Sequence, residues 1–143
     1  MFITIKNAIL PYINESDPLW EEIGVESVIA IFETFSSKDW ERFIQEVPDD
    51  IPNIDVKIID CLTQMSSDET IKAAVKIAMT CSQGAFTLFV LRLDDKALEK
   101  IPRQYLVEIE KKAQLQEKSF QGKFATVYKE SVKNIQKILK TEI

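Results

Sequence analysis

The sequence predicts an all-α domain, and three observations carry that prediction. Three glycines and five prolines in 143 residues leave too little material for the tight turns of a sandwich or barrel. Apolar residues recur at helical spacing through most of the chain. Two of the apolar-periodic runs follow a Ser-x-x-acid pair, which marks a capped helix start. With 45% apolar residues the chain can build a core without staples, since a domain of about this size buries roughly two-thirds of its unfolded surface. We read residues 1–143 as one domain.

The first clear helix starts at Asp17-Pro18, an N-cap followed by proline where a missing N–H costs nothing, and runs to about Phe35. At 100° per residue, Trp20, Ile23, Ile31, Phe32 and Phe35 face inward, with Glu22, Glu26 and Glu33 opposite. Gly24 is the weak point and splits this helix if anything does. Ser36 with Asp39 opens a helix carrying Trp40, Phe43 and Ile44 that ends near Pro48. The link Asp49-Asp50-Ile51-Pro52-Asn53 leads to a helix with Val56, Ile59, Leu62 and Thr63.

Ser66 with Glu69 opens the next unit, whose stripe is Ile71, Ala74, Val75, Ala78 and Met79; Gly84 separates it from the apolar run Ala85–Leu93. Asp94-Asp95 and Pro102 each open a further helix, the second with Tyr105, Leu106, Ile109 and Ala113 inward. The last helix places Phe120, Phe124, Val127, Tyr128, Val132, Ile135, Ile138 and Leu139 on one arc. Lys118, Lys129, Lys133, Lys137 and Lys140 lie on the other. Two capped units thirty residues apart suggest stacked antiparallel helical hairpins, a HEAT-like layout of six to eight helices. The alternative is an α+β fold with a small strand pair from 2–6 and 86–92, since Phe2-Ile3-Thr4-Ile5 and Phe86–Leu91 are strand-like in composition.

Several kinds of chemistry lack their residues. There is no histidine, so the commonest general base and metal ligand is missing, and Cys61 and Cys81 form no CxxC or zinc spacing. The three glycines stand apart, so there is no phosphate loop or dinucleotide fingerprint. Asp49, Asp50, Asp55 and Asp60 are the candidates for carboxylate chemistry, but Asp49 and Asp50 sit between prolines in a turn, where solvated acids are ordinary. We expect no catalytic residue, cofactor or metal, and two reduced structural cysteines. The start Met1–Lys6 has no secretory pattern and no apolar run is long enough to span a membrane, so the expected location is cytoplasmic.

The charge is split along the chain. Residues 1–70 carry fifteen acids against four bases, and residues 71–143 eight acids against fourteen bases, within a net charge of −5. Such asymmetry bears on partners and association rate. On the helical wheel Val25 and Ile29 share the arc of Glu22, Glu26 and Glu33, an acidic face with apolar side chains that suits a partner with a basic rim and an apolar centre. The basic arc of the last helix reads as an ordinary solvated face, with pairing to an acidic half or contact with nucleic acid or anionic lipid as the alternatives. Its lysines are spread singly with no aromatic residues between them, which argues against direct nucleic-acid contact, and no membrane partner is expected.

The segment from Ser36 to Pro102, with Trp40-Glu41-Arg42-Phe43, Asp60-Cys61-Leu62 and Ala73-Ala74-Val75-Lys76-Ile77-Ala78, resembles the small helical-repeat immunity proteins of bacterial contact-dependent inhibition and related polymorphic-toxin systems. The resemblance implies a non-catalytic protein that neutralises one cognate protein toxin. A basic, nuclease-type toxin would be steered to an acidic partner. The residues expected to carry binding are Glu22, Val25, Glu26, Ile29 and Glu33, with Asp49, Asp50 and Asp55 on the first inter-helix loop. The alternative function is a helical adaptor or regulatory subunit that self-associates, as a homodimer for example, through its opposed charges.

Overall fold

Small polar side chains fix where the helices begin. The computed structural model describes residues 2–14, 18–47 and 53–141. In the cap of α3 (Ser37–Glu46) the Ser36 hydroxyl accepts from the Asp39 N–H at 3.2 Å, while the Asp39 carboxylate accepts from the Ser36 N–H at 2.9 Å. Ser82 caps α6 (Gln83–Arg92) and Asp94 caps α7 (Asp95–Lys100), each by accepting an N–H three residues on. For α5 (Asp68–Thr80) the cap falls one residue later than expected. Ser67, not Ser66, accepts from the Thr70 N–H, and the buried Thr70 hydroxyl donates back to the Ser67 carbonyl. Glu69 is thereby released to accept from the Ser37 hydroxyl at the start of the neighbouring α3. Asn53 enters α4 (Ile54–Leu62) at φ 69°, a left-handed position that asparagine tolerates better than most residues. The cap expected at Asp17 lies outside the described residues.

Both stretches considered as strands are helices. In α1 (Phe2–Ile9) the buried residues are Phe2, Ile5 and Ile9, a spacing of three and four that only a helix brings to one side. The β-branched run Ile3-Thr4-Ile5 was the misleading signal. In α6 the buried residues Ala85, Phe86, Phe89 and Val90 again follow helical spacing, and the run is apolar all round because α4, α5 and α9 (Gly122–Thr141) pack around it. Nine α-helices stand among the described residues, and α1 is the one beyond the expected range.

The helices stack in two layers. The inner layer runs α2 (Val25–Phe32), α4, α6, α9, each packed on the next, and the outer layer runs α1, α3, α5, α7. Within hairpins, α1 packs on α2, α5 on α6 and α8 (Arg103–Glu117) on α9; of the two capped units expected to fold as hairpins, α5–α6 does so, whereas α3 packs chiefly on α5 rather than on α4. One continuous core extends from Phe2 to Ile135. Its N-terminal part is an aromatic cluster in which Phe32 stacks on Trp40 at 5.3 Å and meets Phe35 and Phe43 edge-on.

Candidate protein-binding face

The acidic face is built around a widened helical turn. From Trp20 to Gly24 the backbone is a π-helix, closed by the Val25 N–H donating to the Trp20 carbonyl five residues back. Trp20 is held on all sides: its indole N–H donates to Asp60 at 2.7 Å, Lys57 lies over the ring at 4.9 Å, and Tyr12 packs beside it at 6.0 Å. Asp60 is itself fixed by Arg92 at 2.9 Å and Gln64 at 3.1 Å, so the anchor ties this turn to α4 and α6. Gly24 belongs to the same packing. A Cβ there would sit 2.6 Å from Trp20 Cε3 and 3.0 Å from Tyr12 Cδ2.

The widened turn advances the buried face by one residue, and this corrects two expectations. Val25, expected on the acidic face, is buried with Val28 and Phe32, while Ile23, expected in the core, is 51% exposed. Ile29 is half-buried against the core and contributes only an edge to the face. Glu22, Glu26 and Glu33 are exposed as expected, and Glu21 joins them. The surface that results is a ridge: Leu19 and Ile23 form its apolar crest, with Glu21, Glu22 and Glu26 around them and Glu33 two turns on. Leu19 and Ile23 were missed because the wheel assumed an unbroken α-helix. The available signal was Trp20 four residues before a glycine, a spacing that lets a large ring lie against bare backbone.

The remaining predicted residues divide. Asp49 and Asp50 lie outside the described residues. Asp55 is committed to the fold, since its carboxylate accepts from the Ser82 N–H at 2.8 Å and from its own helix at Val56, tying α4 to the start of α6. It does not share a site with Asp60, whose oxygens face Trp20, Arg92 and Gln64. No group of three potential metal ligands occurs among the described residues.

Cys61 is buried and Cys81 half-buried, neither is in a disulfide, and burial pushes both thiols up, away from the reactive thiolate. Tyr128 is likewise pushed up by burial and donates its hydroxyl to Gln116 at 2.5 Å, inside the α8–α9 hairpin. On α9, Tyr128, Val132 and Ile135 point inward as expected, whereas Phe124 and Val127 are 43% and 57% exposed. Phe124 packs on Phe120 and Tyr128, but no described element covers its outer side. No helix among the described residues is long and apolar enough to cross a membrane. Compared with known proteins, the chain matches no family, no curated protein and no solved structure.

Proposed function

We propose that this chain is a non-catalytic immunity protein that binds and neutralises a cognate basic toxin domain through the Leu19–Glu33 ridge. One observation carries the reading: two large apolar side chains, Leu19 and Ile23, stand half in solvent beside the exposed Glu21, Glu22 and Glu26, with Glu33 two turns on. An apolar centre inside a ring of one charge is what a protein partner of opposite charge needs. The glutamates steer and orient the encounter, while the apolar crest supplies contact that survives salt. Glu21, Glu22, Glu26 and Glu33 form no ion pair or side-chain hydrogen bond within the described chain, so their carboxylates are free for a partner's lysines and arginines.

The resemblance to helical-repeat immunity proteins adds the class of partner. The test is to express the polypeptide encoded directly upstream of this chain's gene, with and without the chain beside it. Rescue of growth by the wild type, and its loss with Glu22→Lys/Glu26→Lys or Ile23→Asp, is the expected result. A ridge variant that protects as well as the wild type overturns the assignment of the face, and a wild type that gives no protection overturns the function.

A further inference from the structure

The outer layer holds a groove of opposite character to the ridge. It runs along α5 as two adjoining cavities, about 380 Å³ beside Ile44, Val47 and Met79 and about 270 Å³ beside Ile71 and Pro102. Val75, Lys76 and Tyr105 line both, so the two cavities adjoin at these three residues. Its floor is apolar and its rim carries Lys72, Lys76 and Lys100, with Glu108 and Asp68 the acids among them. Lys100 is already engaged with the Ser66 carbonyl at 2.8 Å and Asp68 at 3.6 Å. Lys72 and Lys76, one helical turn apart on α5, have no side-chain partner among the described residues, and neither has the Tyr105 hydroxyl.

We propose that the occupant of this groove is the acidic ridge of a second copy of the chain. The ridge is convex where the groove is concave, and both are apolar along the middle. Glu22 and Glu26 are four residues apart, as are Lys72 and Lys76, so two charge pairs form in one register with Leu19 and Ile23 laid on Val75 and Tyr105. The acid-rich first half of the sequence supplies the ridge, and the lysines of the rim come from the base-rich second half. If two copies exchange ridges reciprocally the contact closes as a two-fold dimer, and if each feeds the next it builds longer assemblies. The pairing weakens with salt, because exposed charges are screened over about 8 Å at physiological ionic strength. It also masks the toxin-binding face. The inference rests on the ridge being a binding face, as argued for the toxin, and makes self-assembly a competitor of neutralisation.

Sedimentation equilibrium of the full chain at low and high salt tests it, with Lys72→Glu/Lys76→Glu and Glu22→Lys/Glu26→Lys as the variants. The wild type is expected to rise above its 16.4 kDa monomer mass with concentration at low salt and to fall back at high salt. Each variant, with a far-ultraviolet spectrum and Tm like the wild type, is expected to stay monomeric. An equimolar mixture of the two is expected to associate again, because the reversed ridge of one faces the reversed groove of the other. A wild type monomeric at every concentration, a variant that associates like the wild type, or a mixture that stays monomeric overturns the proposal. Monomeric wild type that still protects against the toxin overturns only the self-docking, and association without protection overturns only the immunity reading.

Discussion

Alanine in place of Gly24 is expected to destabilise the protein, against the usual direction for a glycine at helical dihedrals. Gly24 has φ −61° and ψ −48°, where alanine is ordinarily favoured by about 1 kcal/mol. Here the added Cβ lands 2.6 Å from Trp20 Cε3 and 3.0 Å from Tyr12 Cδ2, both inside contact distance. Trp20 has little room to retreat, being 3% exposed with its N–H bonded to Asp60 at 2.7 Å. Overpacking costs about 1–3 kcal/mol, and stretching a hydrogen bond to a carboxylate forfeits part of about 1.5–3 kcal/mol. Against the propensity gain the net is a loss of about 2 kcal/mol, or a Tm lower by about 6 °C for a domain of this size. Urea unfolding followed by circular dichroism measures it. Gly84→Ala is the control, since its Cβ would meet Val56 at an ordinary 3.5 Å, and it is expected to stabilise by roughly 0.5–1 kcal/mol. If both alanines stabilise alike, the steric account of the widened turn is refuted.

Other outcomes follow from the caps and the core. Ser67→Ala is expected to cost about 1 kcal/mol in urea unfolding, while Ser66→Ala stays within about 0.5 kcal/mol, because only the Ser66 carbonyl is used and alanine keeps it. The reverse ranking would restore the earlier cap position. The backbone N–H and hydroxyl of Ser36 hold the Asp39 carboxyl below its ordinary 3.8, so its cap is complete above that pH and is lost as pH falls through the lower folded-state value. Amide chemical shifts of Ser36 are expected to titrate with a midpoint below 3.8, and a midpoint at or above it would be wrong for this geometry. Native protein treated with iodoacetamide is expected to leave Cys61 unmodified while Cys81 reacts slowly; rapid labelling of Cys61 would contradict its burial.

The helical stack was legible because its signals are local. Ser36 with Asp39, Asp94 and Pro102 mark helix starts by the chemistry of one turn, and the stripe of α8 follows from periodicity alone. What was not legible depends on contacts distant in sequence. Phe2-Ile3-Thr4-Ile5 reads as a strand by composition, and its helical face counts only once Phe43 is there to meet Phe2 at 6.1 Å. Ser66 and Ser67 are equivalent as caps until Ser37, thirty residues away, draws off Glu69. Asp55 looks like a free loop acid until Ser82 presents its N–H. The proposed binding face was legible as a set of glutamates, but the apolar residues among them were exchanged, Ile23 for Val25, by a turn that a periodic reading assumes away.

The exchange also explains why the ridge exists before any partner arrives. Trp20 is fixed inward by Asp60, Lys57 and Tyr12, and Val25 is fixed inward with Val28 and Phe32. Five residues turn an α-helix through about 500°, which would put these two anchors on different sides. The π turn brings both to the core, and the extra residue must go outward, which leaves Glu21, Glu22 and Ile23 facing solvent in succession. Exposure of Ile23 is therefore imposed by the core on either side of it rather than by a loose helix end. A crest held in this way needs little further ordering when it is covered, which removes one of the main costs of association. Polar replacement of Ile23 alone leaves both anchors in place, so loss of binding by such a variant is separable from loss of fold.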